Sequence, residues 1–132
     1  MGENRNIGDA GLHLIRDVAA AAAVSNTRRM LSANIGKALS SHLPIVNFEF
    51  VWPDNAAEKP RLGSDARSTV LPLPNADGSP GFAVLLYSAA PDPALVSSVV
   101  LETLGRVLAF AQRHCLVVER IAKLSSRAHH DS

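Results

Sequence analysis

The sequence contains one cysteine, Cys115, among 132 residues. A single thiol cannot form an internal disulfide, and alone it cannot build a cysteine-rich zinc site. This cysteine usage is typical of a reducing compartment, so we expect a cytoplasmic protein. Cys115 stands in the middle of an apolar helical stripe rather than beside a base. We therefore expect a small buried hydrophobe and not a catalytic or redox thiol.

Long apolar runs and an excess of one charge are also missing. The alanine-rich run Val18 to Val24 is far shorter than the ~20 apolar residues that cross a bilayer. Thirteen Lys and Arg face twelve Asp and Glu, so no long-range field draws in nucleic acid or an anionic membrane. We expect no membrane contact and no direct nucleic-acid contact.

The motifs of common enzymes are absent as well. The sequence has no nucleophile elbow GxSxG, no phosphate loop GxxxxGK and no dinucleotide motif GxGxxG. We predict no enzyme activity and no cofactor. A minor hydrolase or reductase using Cys115 or a histidine remains an alternative, which labelling of the thiol in the native state would test.

Metal ligands are few. His114 and the run His129-His130-Asp131 offer nitrogen and oxygen atoms, but adjacent side chains on a helix point about 100° apart and do not easily share one ion. A frayed tail explains the run better, and we expect no metal site.

Helical periodicity is present at the N-terminal end. Residues 1–8 are polar and are predicted to be a disordered terminus. Asp9 is a candidate N-cap for a helix whose apolar stripe is Leu12, Ile15, Ala19 and Ala22. The capping residues Ser25-Asn26-Thr27 then introduce a second helix or a kinked continuation, which ends before Pro44 and has the apolar face Leu31, Ile35, Ala38, Leu39 and His42.

The middle of the chain has the two-residue period of strands. Alternation predicts a strand over 45–52, with one face formed by Val46, Phe48, Phe50 and Trp52. Residues 53–66 are predicted to be a loop with a short strand near Arg61-Leu62. Residues 67–74 and 81–88 should pair antiparallel around a turn at Asp77-Gly78, with a sheet edge or bulge at Pro72 and Pro74.

Five strand residues are candidates for a small-molecule cavity on the sheet: Phe48, Phe50, Trp52, Phe82 and Val84. The same side chains could simply fill the core under the helices, and for so small a sheet that interpretation is favoured.

The last helix is predicted over 94–127, because Asp92-Pro93 supplies an N-cap and a first-turn proline. Its apolar stripe is Leu101, Leu104, Leu108, Ala111, Cys115, Val118 and Ala122, widened by Val100, Val107 and Ile121. A stripe this wide favours burial against two surfaces, such as the sheet and a second helix. We predict a homodimer through the terminal helices, with an interface at Leu101, Leu104, Leu108, Cys115, Val118 and Ala122.

A basic residue recurs every seven positions along the same helix, at Arg106, Arg113, Arg120 and Arg127. All four fall opposite the apolar stripe. A solvated outer face is therefore expected, rather than a ridge that follows phosphates.

The order of these elements resembles the GAF domain. In that family a strand ending in Pro-Leu, a turn and a Gly-started strand form the hairpin before the last helix; here these are Pro72-Leu73 and Gly81 to Leu86. The resemblance covers residues 12–126. It implies an α+β fold, with a reduced GAF-like antiparallel sheet flanked by N- and C-terminal helices.

The chain departs from the family between the first strand and the Pro-Leu strand, where residues 53–66 leave little room for the elements that usually wall the ligand pocket. The NKFDE-type motif of cyclic-nucleotide-binding members is absent, as are a bilin-attaching cysteine and the several cysteines of methionine-sulfoxide-reducing members. These three functions are disfavoured.

The ending IAKLSSRAHHDS, residues 121–132, is similar to the linker that joins a GAF sensor to the ATPase module in bacterial activators working with the alternative sigma factor for nitrogen control. The resemblance implies a non-catalytic regulatory and dimerisation domain over 9–127, used in signal transduction or transcription regulation, with a linker to a downstream effector domain starting at 128–132. The alternative is a sensor domain with a functional small-molecule pocket on the sheet.

Overall fold

The computed structural model describes residues 8–52, 63–74 and 80–130. Their elements in chain order are α1 (Gly8–Ala23), α2 (Arg28–Ser40), β1 (Ile45–Val51), β2 (Gly63–Ser64), β3 (Ser68–Pro74), β4 (Pro80–Tyr87) and α3 (Ser98–His130). The strands form one antiparallel sheet in the order β1-β4-β3-β2. The predicted α+β class, with helices flanking an antiparallel sheet, is confirmed.

The register of the sheet separates its two faces. Phe48 lies opposite Leu85, and Phe50 lies opposite Ala83. Residues that face each other across antiparallel strands point to the same side. These four side chains belong to or pack against the main core, so this side of the sheet is the one that the helices cover.

β1 matches the strand predicted over 45–52, with one correction. The register with β4 shifts between Ile45 and Asn47, so a bulge interrupts the alternation at Val46. Val46 was expected to share a face with Phe48, but it is 66% exposed. The bulge adds one residue, which turns Val46 away from the core.

β3 and β4 form the predicted antiparallel pair. β2 pairs only with Thr69 and Val70, so Pro72 and Pro74 lie at an edge in the described part of the sheet, as expected for residues without an N–H donor. A short strand was predicted near Arg61-Leu62, and β2 lies next to that position, at Gly63–Ser64. Residues 61–62 themselves and the turn at 77–78 lie outside the described residues.

The buried face of α1 agrees only in part with the predicted stripe: Ile15 and Ala22 pack against the core as expected, but Leu12 and Ala19 do not. Its buried residues are Gly11, Leu14 and Val18, whereas Leu12 is 47% exposed and Ala19 is also exposed. Both stripes have helical spacing, and the C-terminal part of the helix is alanine on every side, so periodicity alone did not distinguish the covered side.

The start of α1 also needs correction. The helix begins at Gly8, which has a positive φ of 80°, a conformation that suits glycine. Asp9 therefore lies in the first turn, where its charge complements the helix dipole, and it is not the N-cap. Residues 1–7 of the predicted disordered terminus lie outside the described residues.

α2 is a separate helix with the predicted cap. The Thr27 side chain accepts a hydrogen bond from the backbone N–H of Met30. Its buried residues Leu31, Ile35 and Leu39 belong to the predicted face. The helix ends at Ser40, before Pro44 as expected.

α3 begins later and ends later than predicted. The Asp92 side chain accepts from the N–H of Ala94, and the N–H of Leu95 donates to the Asp92 carbonyl. These bonds close a turn rather than a helix, and α3 starts at Ser98. It runs to His130, so residues 128–130, predicted as linker, continue the helix.

The helices form a layered arrangement over one face of the sheet. α2 packs on β1, α3 packs on β3 and β4, and α1 packs on both α2 and α3. One hydrophobic core joins these layers, including fully buried Leu14, Leu31, Ile35, Leu39, Leu85, Val100, Leu104 and Leu108. Within the described ranges, none of the helices combines the length and the apolar character needed to cross a bilayer.

Candidate interaction surface on α1 and α3

α3 carries two apolar stripes, and its own chain covers only one of them. The inner stripe consists of Val100, Leu104, Leu108, Ala111 and Cys115, which are all buried. The outer stripe consists of Val107, Phe110, His114, Val117, Ile121 and Leu124. Its spacing alternates between three and four residues, which is the pattern of a helix that pairs with another helix.

The outer stripe is open to solvent along most of its length. Phe110 is 72% exposed, Val117 51%, Ile121 58% and Leu124 57%. Isolated exposed apolar residues are common, but a contiguous line of them marks an interaction site. This stripe is therefore the strongest candidate for a functional surface in the described part of the chain.

An open groove of about 460 Å³ runs beside the outer stripe, between α1 and α3. One wall is formed by three alanines of α1, and the α3 side includes residues of the outer stripe. The lining residues are Ala19, Ala22, Ala23, Arg106, Val107, Phe110, Ala111 and His114. Ala19 and Ala22 belong to the α1 stripe that was predicted for the core. Ala19 is exposed to this groove, whereas Ala22 lines the groove and also packs against the core.

The arginines that repeat every seven residues flank the outer stripe. Arg106, Arg113 and Arg120 are exposed, which confirms the predicted solvated face at these three positions; the Arg127 side chain lies outside the described part. Arg106 donates to Glu102 at 2.9 Å, one turn earlier on the same helix. In a heptad that starts at Val107, each arginine directly precedes an outer-stripe position.

The residues predicted for a dimer interface divide into three groups by their exposure. Leu104, Leu108 and Cys115 are fully buried within the single chain, so they have no surface left for a partner. Leu101 and Val118 are partly buried, and Ala122 is exposed. The inner stripe thus belongs to the domain's own core. Of the outer stripe, the sequence-based prediction included only Val107 and Ile121, as residues that widen the main stripe.

Cys115 is a buried free thiol, as expected. Burial raises its pKa, the nearby Glu119 carboxylate raises it further, and Arg28 partly opposes both effects. Its Sγ lies 3.9 Å from the Ser25 carbonyl oxygen. A thiol held in its protonated form and shielded from solvent is a poor nucleophile.

The five residues predicted for a ligand cavity do not line one site. Phe48, Phe50 and Trp52 form a cluster, with ring centroids 4.8 Å apart for the first pair and 5.4 Å for the second. Phe82 lies opposite Val51, one residue out of phase with Phe50, so it points to the other face of the sheet. Val84 shares that face, opposite Glu49.

Arg28 joins three elements at the point where α3 leaves the body of the domain. Its Nε lies 2.9 Å from Glu119 Oε2 and 3.2 Å from Oε1. The guanidinium also lies over the Trp52 ring, 4.6 Å from its centroid, in cation–π geometry. This contact fixes α3 against α2 and the end of β1. Beyond it, the side chains from Arg120 to Ser125 are all exposed.

Gln112 is a polar residue that α3 buries completely. Its Nε2 donates to the Val51 carbonyl at 3.4 Å, and its Oε1 has no donor among the described residues. A Cβ at position 81 would come within 2.5 Å of that oxygen. Gly81 therefore permits the close approach of α3 to the sheet.

The residues considered as metal ligands from the sequence, and set aside, are His114 and the run His129-His130-Asp131. His114 is exposed on the outer stripe, and no group of three or more His, Cys, Asp or Glu in the described ranges is placed to hold an ion. His129 and His130 lie on the last turn of α3. Their side chains and Asp131 lie outside the described part of the structure.

Comparison with known proteins identifies no relative. No family model matches the chain, and neither the curated proteins nor the solved structures give a match.

Proposed function

We propose that this chain is a non-catalytic regulatory domain of the GAF type that forms a homodimer through α1 and α3. The observation that carries the proposal is the outer stripe of α3, a largely exposed line of apolar side chains that only His114 interrupts, beside the α1–α3 groove. The chain's own sheet and helices cover the inner stripe, so only the outer stripe needs a second copy to bury it.

The size of this face fits a modest dimer. From Val107 to Leu124 the outer stripe is about 26 Å long at 1.5 Å per residue. With α1 alongside, the face is about 20 Å wide, which gives on the order of 500 Å² per copy. The total, about 1,000 Å², lies at the lower limit for a specific interface. A dimer of micromolar affinity is expected rather than an obligate one.

The shape of the face suits a second copy of itself. Phe110 projects as a large apolar side chain, and the groove next to it is walled by the small side chains of Ala19, Ala22 and Ala23. A two-fold axis places the same patch on both partners. With the two α3 helices paired through the outer stripe, the two Phe110 side chains meet at the axis, beside these small residues.

The charges on α3 favour a parallel pair. In an antiparallel pair the arginine positions of the two helices face each other, and Arg113 and Arg120 would repel their counterparts. In a parallel pair they face the positions of Val118 and Ser125, which are uncharged. The two copies of α3 then leave the domains side by side.

The proposed regulatory role depends on the length of α3. Its 33 residues extend about 50 Å, and the side chains that follow the Arg28–Glu119 contact, from Arg120 to Ser125, are exposed. A rigid helix shared by two copies can pass a change in their relative position to a downstream effector domain of a cytoplasmic signalling or transcription-control protein.

The test is a pair of substitutions measured by sedimentation equilibrium or light scattering at concentrations into the high micromolar range. Ile121→Glu places an unpaired charge in the outer stripe, and we expect the dimer dissociation constant to rise more than about tenfold. Val46→Glu changes another exposed aliphatic residue, on β1, and should leave the dimer intact. A wild-type chain that stays strictly monomeric would overturn the proposal.

A further inference from the structure

His114 occupies the centre of the outer stripe. It follows Phe110 by four residues and precedes Val117 by three, so it holds a position that the heptad pattern assigns to an apolar side chain. Its side chain is exposed and lines the α1–α3 groove. No other member of the outer stripe is ionisable.

The charged groups around His114 would not neutralise a positive charge on its imidazole ring. On α3, Arg106 lines the same groove, and Arg113 and Arg120 flank the stripe. The two carboxylates of α3 in the described ranges are engaged elsewhere: Glu102 accepts from Arg106 and Glu119 from Arg28.

The α1 side of the groove is equally free of negative charge. Its lining residues are alanines, and Arg16 lies one turn before them. The carboxylate of Asp17 contacts His42 at 2.6 Å, at the end of α2. An imidazolium at position 114 therefore has no carboxylate partner in the groove among the described residues.

We infer that dimerisation through this face is controlled by pH, with His114 as the sensing residue. The inference rests on the proposed homodimer. In a parallel pair with α3 in register, the two His114 side chains meet in one layer across the axis. Neutral imidazoles can pack in that layer, whereas two imidazolium groups repel each other and lose hydration without gaining a partner.

The expected size of the effect follows from proton linkage. Each histidine that must lose a proton to enter the dimer changes the dissociation constant by up to tenfold per pH unit on the acid side of its titration, and two histidines by up to about a hundredfold. We expect the dissociation constant at about pH 5.5 to exceed that at about pH 7.5 by at least tenfold, since histidine changes charge across this range.

The experiment is sedimentation equilibrium of the full chain over this pH range, for wild type and two variants. His114→Gln keeps a polar side chain that cannot be protonated, and its dissociation constant should be nearly independent of pH. His13→Gln alters an exposed histidine of α1 outside the groove and should keep the wild-type pH dependence. His114→Leu gives a second check, because it should dimerise equally at both ends of the range.

The outcomes separate this inference from the proposed function. A wild-type dimer whose dissociation constant does not change with pH would overturn the role of His114 and leave the dimer in place. The same conclusion follows if His114→Gln retains the full pH dependence. A chain that is monomeric at every pH would overturn both proposals.

Discussion

Tyr87 places a phenol group inside the helix-covered side of the sheet. Its side chain is 8% exposed, and its hydroxyl lies 2.6 Å from the Thr69 hydroxyl on the neighbouring strand. Burial raises the pKa of Tyr87, the Thr69 hydrogen bond partly opposes this, and the charge of Asp65 adds a small further increase. The folded state therefore favours the neutral phenol.

This shift predicts a loss of stability at alkaline pH. An unfolded tyrosine ionises near pH 10, so the contribution of Tyr87 is fully present below that value and is lost as pH rises through the higher folded-state pKa. Tyr87→Phe should reduce the alkaline fall in unfolding free energy while costing about 0.5–1.5 kcal/mol at neutral pH through the missing hydrogen bond.

Urea unfolding at a series of pH values tests this prediction, with phenolate absorbance as a second readout. Tyr87 is the only tyrosine in the sequence, so this absorbance reports one group. The raised pKa of Cys115 acts in the same direction, and Cys115→Ala is therefore the matched control. An unchanged alkaline slope in Tyr87→Phe would contradict the assignment.

Single residues differ in how far the sequence predicts their environment. The position of Cys115 in an apolar stripe was enough to predict its burial, because the preceding and following members of the stripe, Ala111 and Val118, are apolar. The burial of Gln112 had no comparable signal: a glutamine on a long helix resembles a solvated residue, and only the nearby Gly81 makes room for it.

At the scale of whole elements, the Arg28–Glu119 pair fixes the place where α3 departs from the domain. Its side chains are 27% and 35% exposed, whereas those of the Arg106–Glu102 pair within α3 are 78% and 63% exposed. Less exposure means less screening by water. The first pair also links two helices that are distant in sequence, so it restrains tertiary structure.

Double-mutant cycles should give different coupling energies for these two ion pairs. We expect a coupling of about 1 kcal/mol between Arg28 and Glu119, with Arg28→Met and Glu119→Gln as the single changes. The same changes at Arg106 and Glu102 should give a coupling below about 0.5 kcal/mol. Equal couplings for both pairs, measured by denaturant unfolding, would argue against a tertiary role for the Arg28–Glu119 pair.

Element boundaries show why some local signals succeeded and others failed. Thr27 caps α2 as expected because a threonine before a periodic apolar segment has few competing roles. Asp92-Pro93 is an equally strong helix-start signal, but the same dipeptide also stabilises a single turn. The chain uses the turn, and α3 starts at Ser98.

At the scale of the molecule, hydrophobic periodicity predicted the sheet and the helical layer. It did not predict which side of each helix or strand is buried between the layers. α1 and α3 each carry two apolar stripes, and the sequence does not state which of them faces the sheet or the neighbouring helix. The same ambiguity placed Phe82 and Val84 with the aromatic residues of β1, because face assignment depends on strand register. Only the pairing of β1 with β4 resolves it.

Because α3 carries both stripes, a leucine-to-alanine substitution in each of them can separate the contribution to folding stability from the contribution to association. Leu108→Ala removes a fully buried side chain from the inner stripe, and we expect a loss of about 2–5 kcal/mol in unfolding free energy. Leu124→Ala removes a 57% exposed side chain from the outer stripe, and at monomeric concentrations its loss should stay within about 0.5 kcal/mol.

For association, we expect the relative effects of these two substitutions to reverse. Leu124→Ala should weaken the dimer several-fold, since it removes apolar surface from the interface, whereas folded Leu108→Ala should dimerise as wild type does. Denaturant unfolding at low concentration and sedimentation at high concentration measure the two effects separately. If Leu124→Ala instead destabilised the monomer as strongly as Leu108→Ala, the end of α3 would have to pack on its own domain, and the outer stripe would no longer be available to a second copy.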